Sequence, residues 1–300
     1  MVESLHSSFK ESTHLAFPKF LAARHDLWLE RTYGLKSDVT DSTLRSYRFT
    51  NIWRELDRGT VYLFNSVQKK FIADTTKLVC HSILYRLFNL PDPYERVLAE
   101  FGDSFYLDAK AEDLLSFINS LPVMYSAAYT RQVNMPKTCA QLVQLEPRAL
   151  EIEKSLATGD PRLVRNSLLK VYSIGVFTAD QLTMDLCWSG GPFSSASFSP
   201  SLGPGAKDGL VICKNEGYGE NLILLAMIGE NAIAEEKRPS VNGLPISFDM
   251  RALEHSLCEY SKYVKTYNNA VSGRAGKRVY ASHAEKPEIP YSWERPRFVQ

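Results

Sequence analysis

The sequence predicts a mainly α-helical fold. Apolar residues recur at three- and four-residue spacing in one segment after another, strand-like alternation is scarce, and Pro, Asp and Gly stand where helices start or stop. An apolar fraction of 44% with 11% aromatics over 300 residues supports a substantial core, in one large domain or two modest ones.

Taken in order, residues 7–33 carry Phe9, Leu15, Phe20, Leu21, Trp28 and Leu29, compatible with one or two helices broken near Pro18. A polar connector from Gly34 to Ser42 leads to Ser46–Arg58, and from Ile52 onward Ile52, Leu56, Leu63 and Val67 form a helical stripe facing a core. Asp74 to Asn89 repeats the pattern with Leu78, Val79, Ile83, Leu84 and Leu87, and ends before Pro91. Further helices are expected over Asp92–Phe101 and Ala111–Leu121, and the pattern weakens between Ser126 and Pro147. Pro161, behind Asp160 as a cap, opens a helix through Leu163, Leu168, Leu169 and Val171. After the break Tyr172–Gly175 a second helix runs from Phe177 to Trp188, a helix-hairpin-helix plan. Ser189–Gly209 reads as a loop ending in a rigid Gly-Pro-Gly turn, and Leu222–Asn231 suits a helix or a buried strand. Met250, Leu253, Leu257, Tyr260 and Val264 make a clean stripe with Asp249 at its start; Glu254 flanks it, while Glu259 and Lys262 point away. The tail from Asn268 has no period and is expected to be irregular and draped over the body. The resulting plan is an N-terminal helical extension (1–44), a helical domain (45–267) and a basic tail (268–300).

A net charge of +1 excludes a polyelectrolyte binder as a whole, but from Lys262 onward eight Lys or Arg stand against three Glu. A basic end suits an anionic partner such as DNA; it also suits simple solubility. Five cysteines without close pairs argue against a disulfide framework or a zinc knuckle. The N-terminus lacks an apolar signal segment and no apolar run can span a bilayer, so a soluble intracellular protein without membrane contact is expected, nuclear if the source is eukaryotic. No histidine pair has ligand spacing, and neither a metal nor a cofactor is expected.

On a helix through Ser46–Arg58, Asn51, Arg54 and Arg58 fall opposite the apolar stripe, with Thr50 and Asp57 beside them. Such a face is either solvated and laced by Arg–Asp pairs, or a site that grips an anion through guanidinium forks while a carboxylate handles protons. Arg86 and Asn89 lie three apart and can share a face. Gly203 and Gly205 permit close approach of a phosphate, with Lys207 adding charge, although the turn lacks the Lys-Ser/Thr ending of a P-loop.

The motifs Arg48-Phe-Thr-Asn51, Arg54-Glu-Leu-Asp57, Arg86-Leu-Phe-Asn89, Gly175 to Leu186, Gly203-Pro-Gly-Ala206 with Gly209-Leu210, and Glu254 to Lys262 occur in this order. Together they resemble the alpha-glutamyl/putrescinyl thymine pyrophosphorylases, which share a helical domain with the 5-hydroxymethyldeoxyuridine DNA kinases. The resemblance covers roughly residues 45–280. It implies a mainly α fold akin to the helix-hairpin-helix DNA glycosylases and a role in hypermodifying thymine in DNA. In that chemistry an amine displaces pyrophosphate from a 5-hydroxymethyluracil derivative, on a nucleotide extruded from the duplex. Asp57, Glu254 and Asp185 are then catalytic candidates. Arg48, Asn51, Arg54, Arg58, Arg86, Asn89, Gly175, Gly203, Gly205, Lys207 and Lys262 are candidates for anion or DNA binding. The sequence departs from the glycosylase pattern at the hairpin, which has one glycine, Gly175, and the usual later aspartate position is taken by the Gly203 turn; Asp180 or Asp185 would have to substitute. Two alternatives stay open: a glycosylase-like enzyme recognising or excising a modified pyrimidine, and a non-catalytic DNA-binding module partnering a base-modifying enzyme.

Overall fold

The computed structural model describes residues 14–124, 134–195, 198–271 and 288–299. Among them are fourteen α-helices and one two-stranded hairpin. Helix α1 (Phe17–Tyr33) is unbroken, because Pro18 sits in its first turn, where a missing N–H breaks no intrahelical bond. It ends at Gly34 in the left-handed region, and a short α2 (Ser42–Ser46) follows, capped by the Asp41 side chain.

Residues 47–57 depart most from the periodic expectation. They form no α-helix: extended backbone surrounds a single 3-10 turn, Arg54–Leu56, and helix begins only at α3 (Arg58–Tyr62), continuing into a π-helical stretch, Leu63–Gln68. Every side chain from Ile52 to Leu56 is buried, which one face of a helix does not permit. Asn51, Arg54 and Arg58 therefore do not share a helical face.

Helix α4 (Thr75–Phe88) follows Asp74, the first residue of the periodic segment and here its N-cap, and stops at Asn89, which is left-handed with φ 52°. Then come α5 (Pro91–Phe101), α6 (Phe105–Asp108) and α7 (Ala111–Ser120). Part of the weakly patterned region lies outside the described residues; the rest holds α8 (Met135–Leu142) and the start of α9 (Glu146–Ala157), a helix the periodicity did not announce, which buries Ala149, Ile152 and Leu156. Helix α10 (Pro161–Leu168) has Asp160 as its cap, and a short turn joins it to α11 (Val176–Leu186), with Gly175 at the N-cap. The Gly-Pro-Gly stretch is not a loop: Pro204 occupies the first turn of α12 (Pro204–Asn215) behind Gly203 as N-cap. Residues Leu222–Ala232 are helix, α13, capped by Asn221. The strands β1 (Ser240–Val241) and β2 (Leu244–Pro245) pair antiparallel, and Ser240 also bridges to Glu294.

The last and longest helix, α14 (Met250–Val271), runs through the core. On one side Phe17 and Phe20 of α1 pack at a tilt against Tyr260, with ring centroids 5.3 and 5.2 Å apart. The segment read as an N-terminal extension thus shares the core of the rest. Glu259 does not point to solvent: residues 47–57 cover that side of α14, and the Thr50 N–H donates to Glu259 Oε2 at 3.0 Å. Of the tail, residues 288–299 lie over the body, with Trp293 buried and its indole N–H donating to the Ser189 carbonyl at 2.7 Å; Arg274, Lys277, Arg278 and Lys286 lie outside the described residues.

Along α12 the contact with α14 is a backbone contact. A methyl group on Gly209 would lie 2.1 Å from the Leu257 carbonyl oxygen, and one on Gly205 2.6 Å from Cys258 Sγ. Gly209→Ala should therefore force the helices apart and destabilise the protein by about 1–3 kcal/mol or more, measured by urea unfolding; a variant as stable as the parent would refute the close contact.

Candidate functional site

The arginines expected to grip an external anion grip an internal one. Asp185, in the middle of α11, is 0% exposed. It receives Arg54 Nη1 at 2.5 Å and Nη2 at 3.3 Å, and Arg86 Nε at 2.6 Å and Nη2 at 2.8 Å. Burial pushes its carboxyl up, but the two guanidinium groups outweigh that and hold it below the usual carboxylate range. Arg86 also donates to Asn89 Oδ1 at 2.5 Å and Thr60 Oγ1 at 3.0 Å, and Gln68 Nε2 to the Asp185 carbonyl at 2.9 Å. Arg54, Arg86, Asn89 and Asp185 thus form one buried network, and the reason is the 3-10 turn that aims Arg54 inward. Asp180 is likewise occupied within the fold: Arg165 Nε and the Ser201 N–H both donate to it.

A second cluster lies beside this network, where residues 47–57 and the start of α12 reach successive residues of α14. Asn51 organises the first of these. Its N–H donates to Asp57 Oδ1 at 2.7 Å, its side-chain amide to the Leu56 carbonyl at 2.6 Å, and its Oδ1 accepts from Arg24 at 2.6 Å. Arg24 binds the Thr50 and Phe49 carbonyls as well, at 2.8 and 3.1 Å. Asp57 so positioned brings Oδ2 to 3.2 Å from His255 Nε2. On the next face, the Gly203 N–H donates to Glu254 Oε1 at 3.3 Å.

These surroundings set the protonation of both α14 groups. Burial raises the Glu254 carboxyl above its ordinary range, against the opposing pull of His255, the Gly203 N–H and Arg54. Burial alone would lower His255; Asp57, with Glu259 and Glu254 behind it, outweighs burial and raises it, favouring the imidazolium. A buried carboxyl that keeps its proton to higher pH, next to an imidazolium, is a group suited to proton transfer.

The remaining candidates surround this pair unevenly. Arg48, Arg58 and Lys207 are exposed, and Lys262 is exposed while paired with Glu259. Gly205 is packed against Cys258 and gives no room for a phosphate. Gly175 heads α11, whose first residues Val176 and Phe177 are exposed. Arg24, His255 and Glu259 were not among the sequence candidates; the signals for the last two were their four-residue spacing on one helix and their place inside the motif Glu254 to Lys262. All five cysteines are free thiols. Among the described residues no group of three or more His, Cys, Asp or Glu is placed to hold a metal ion, and no helix is long and apolar enough to cross a membrane.

A mainly helical unit with a buried carboxylate–arginine network and a proton-active pair beside it is the class of structure to be matched. The model of the helical domain of the 5-hmdU DNA kinases matches residues 11–273, and the chain belongs to that family. It is 25% identical over 292 residues to a 5-hmdU DNA kinase of Bacillus phage SP10, an alignment covering 82% of this chain and 44% of the relative, so the chain spans less than half the length of that protein. No solved structure matches. Of the sequence resemblance, the helical domain of the 5-hmdU DNA kinases is the part this match supports.

The network makes a prediction about acid. With its folded pKa lowered, Asp185 contributes stability that is present above the unfolded value, about 3.9, and lost as pH falls through the folded value. Asp185→Asn leaves two buried guanidinium groups without their carboxylate and should cost about 3–5 kcal/mol at neutral pH, with a flatter acid limb in urea titrations. A loss under about 0.5 kcal/mol, as for an exposed pair, would show the network is not formed.

Proposed function

We propose that this chain modifies a 5-hydroxymethyluracil-derived thymine in DNA, displacing pyrophosphate from the hydroxymethyl carbon with an amine. The observation that carries the proposal is Glu254: a buried carboxyl of raised pKa, held by the Gly203 N–H, in a chain of the 5-hmdU DNA kinase helical-domain family. In the reaction a C–N bond forms as the C–O bond to pyrophosphate breaks, the pyrophosphate leaves with the electron pair, and the amine proton passes to Glu254. A carboxylate of raised pKa is a stronger base than an ordinary one, which suits that step. The His255 imidazolium, oriented by Asp57, and the exposed Arg48 and Arg58 supply positive charge for the departing anion.

A second proposal has its own support. The chain spans 44% of the phage relative, and Arg54 and Arg86 are engaged inside the fold, which suits a DNA-binding module that serves a separate modifying enzyme.

Incubation with DNA carrying 5-hydroxymethyluracil or its pyrophosphorylated form, with and without amines, followed by nucleoside mass analysis, separates the two. Turnover should appear only with the activated base and an amine. Glu254→Gln should lower it by about a hundredfold or more while DNA affinity stays within about twofold. In the parent, the rate should fall with acid through a pKa above the ordinary 4.5 of a glutamate, and Glu254→Gln should lack that limb. Binding without product under every condition would leave the module.

A further inference from the structure

Apart from the single 3-10 turn, residues 49–57 lie over α14 without regular structure, so their inward carbonyl groups need donors from side chains. One residue of α1 meets that need at the start of the segment. Arg24, 5% exposed, donates to the carbonyls of Phe49 and Thr50 and to Asn51 Oδ1, three consecutive residues held by one planar fork. A lysine ammonium on a flexible stem does not reproduce that geometry. Asn51 then closes the segment on its far end, with its N–H on Asp57 Oδ1 and its side-chain amide on the Leu56 carbonyl. The Asp57 carbonyl is committed as well, accepting the Thr60 and Val61 N–H groups that begin α3, both at 2.8 Å. With these groups fixed, Asp57 Oδ2 is directed at His255 Nε2, 3.2 Å away.

We infer that Arg24 is a positioning residue for His255: acting through Asn51, its guanidinium holds the Asp57 carboxylate against the imidazole, so that α1 is part of the site. The other charges around the imidazole are placed by different means. Glu254 is its neighbour on α14 and is held by the Gly203 N–H. Glu259, one turn further along, takes the Thr50 N–H on Oε2 and the Lys262 ammonium on Oε1. Asp57 is the carboxylate whose place depends on the clamp from α1. An opposite charge at contact distance favours the imidazolium, and a carboxylate released into solvent does so much less.

The test follows the titration of His255 in the full chain by NMR with labelled histidines, its signal among the six assigned by loss in His255→Gln. Arg24→Lys and Asn51→Ala both leave the charge count unchanged. Each should move the titration to lower pH, toward the position given by Asp57→Asn, whose displacement should be on the order of one pH unit. In the Asp57→Asn background neither change should move it further, since there is no carboxylate left to place. Ile152→Val, a core truncation on α9 that destabilises without touching the segment, should leave the titration where it is. A displacement that persists in Asp57→Asn, or an unmoved titration in either single variant shown to be folded by urea unfolding, overturns the relay. Removal of the guanidinium charge acting directly has the opposite sign: in Arg24→Gln a rise of the titration, in place of a fall, also overturns it. Where the imidazolium serves the proposed reaction, Arg24→Lys should lower turnover as well; that expectation rests on the proposed function. A parent without turnover overturns that function and leaves the relay to be decided by the titration.

Discussion

The arrangement depends on one buried charge. An ionised carboxylate at the position of Asp185, with no access to water, would cost several kcal/mol if left alone. It is tolerable only because Arg54 and Arg86 reach it from two other elements. That requirement shapes the chain around it. Arg54 must point inward, so residues 50–57 cannot follow the helix their spacing suggests, and their backbone groups must find partners elsewhere. They do so on Arg24, Asn51 and Glu259. The same placement delivers Asp57 to His255. The contact of Asp57 with His255 is in this sense downstream of the ion-pair network.

The elements with both a period and a cap were legible in the sequence. Asp74 before α4, Asp160 before α10 and the stripe of α14 each combine a local signal with packing on one face, so propensity and tertiary structure agree. Residues 52–56 failed for the opposite reason. Ile52 and Leu56 are four apart, as on a helix, but Trp53, Arg54 and Glu55 between them are buried too. When every residue of a segment is inside, periodicity carries no information about its conformation. Helix α9 was missed because charged residues outnumber its three inward positions, and the start of α12 because Gly and Pro, which elsewhere make a turn, here supply an N-cap and a first turn.

The site was half visible for a related reason. Asp57, Glu254, Asn51 and Gly203 are recognisable as chemistry-bearing residues from their own segments. Their partners are not. Thr50 and Glu259 lie 209 positions apart, and Gly203 and Glu254 lie 51 apart. Single-sequence spacing also placed Glu259 on the solvent side of α14, because a helix packed on more than one side has no outer face to spare there. Conversely, Arg54 and Arg86 looked like anion ligands and are, but the anion belongs to the protein.

What fixes the mouth of the site is the distance between α12 and α14. Gly205 and Gly209 let the two helices meet at van der Waals range of backbone and Cys258, and that approach carries the head of α12 onto Glu254. A wider separation, as ordinary side chains at those positions would impose, would withdraw the Gly203 N–H from the carboxylate and open its burial to water. The raised pKa of Glu254 would then relax, because burial is its largest cause. Helix packing and the burial of Glu254 are thus set by one row of glycines: Gly209 and Gly205 hold the helices close, and Gly203, at the end of that row, brings its N–H to the carboxylate.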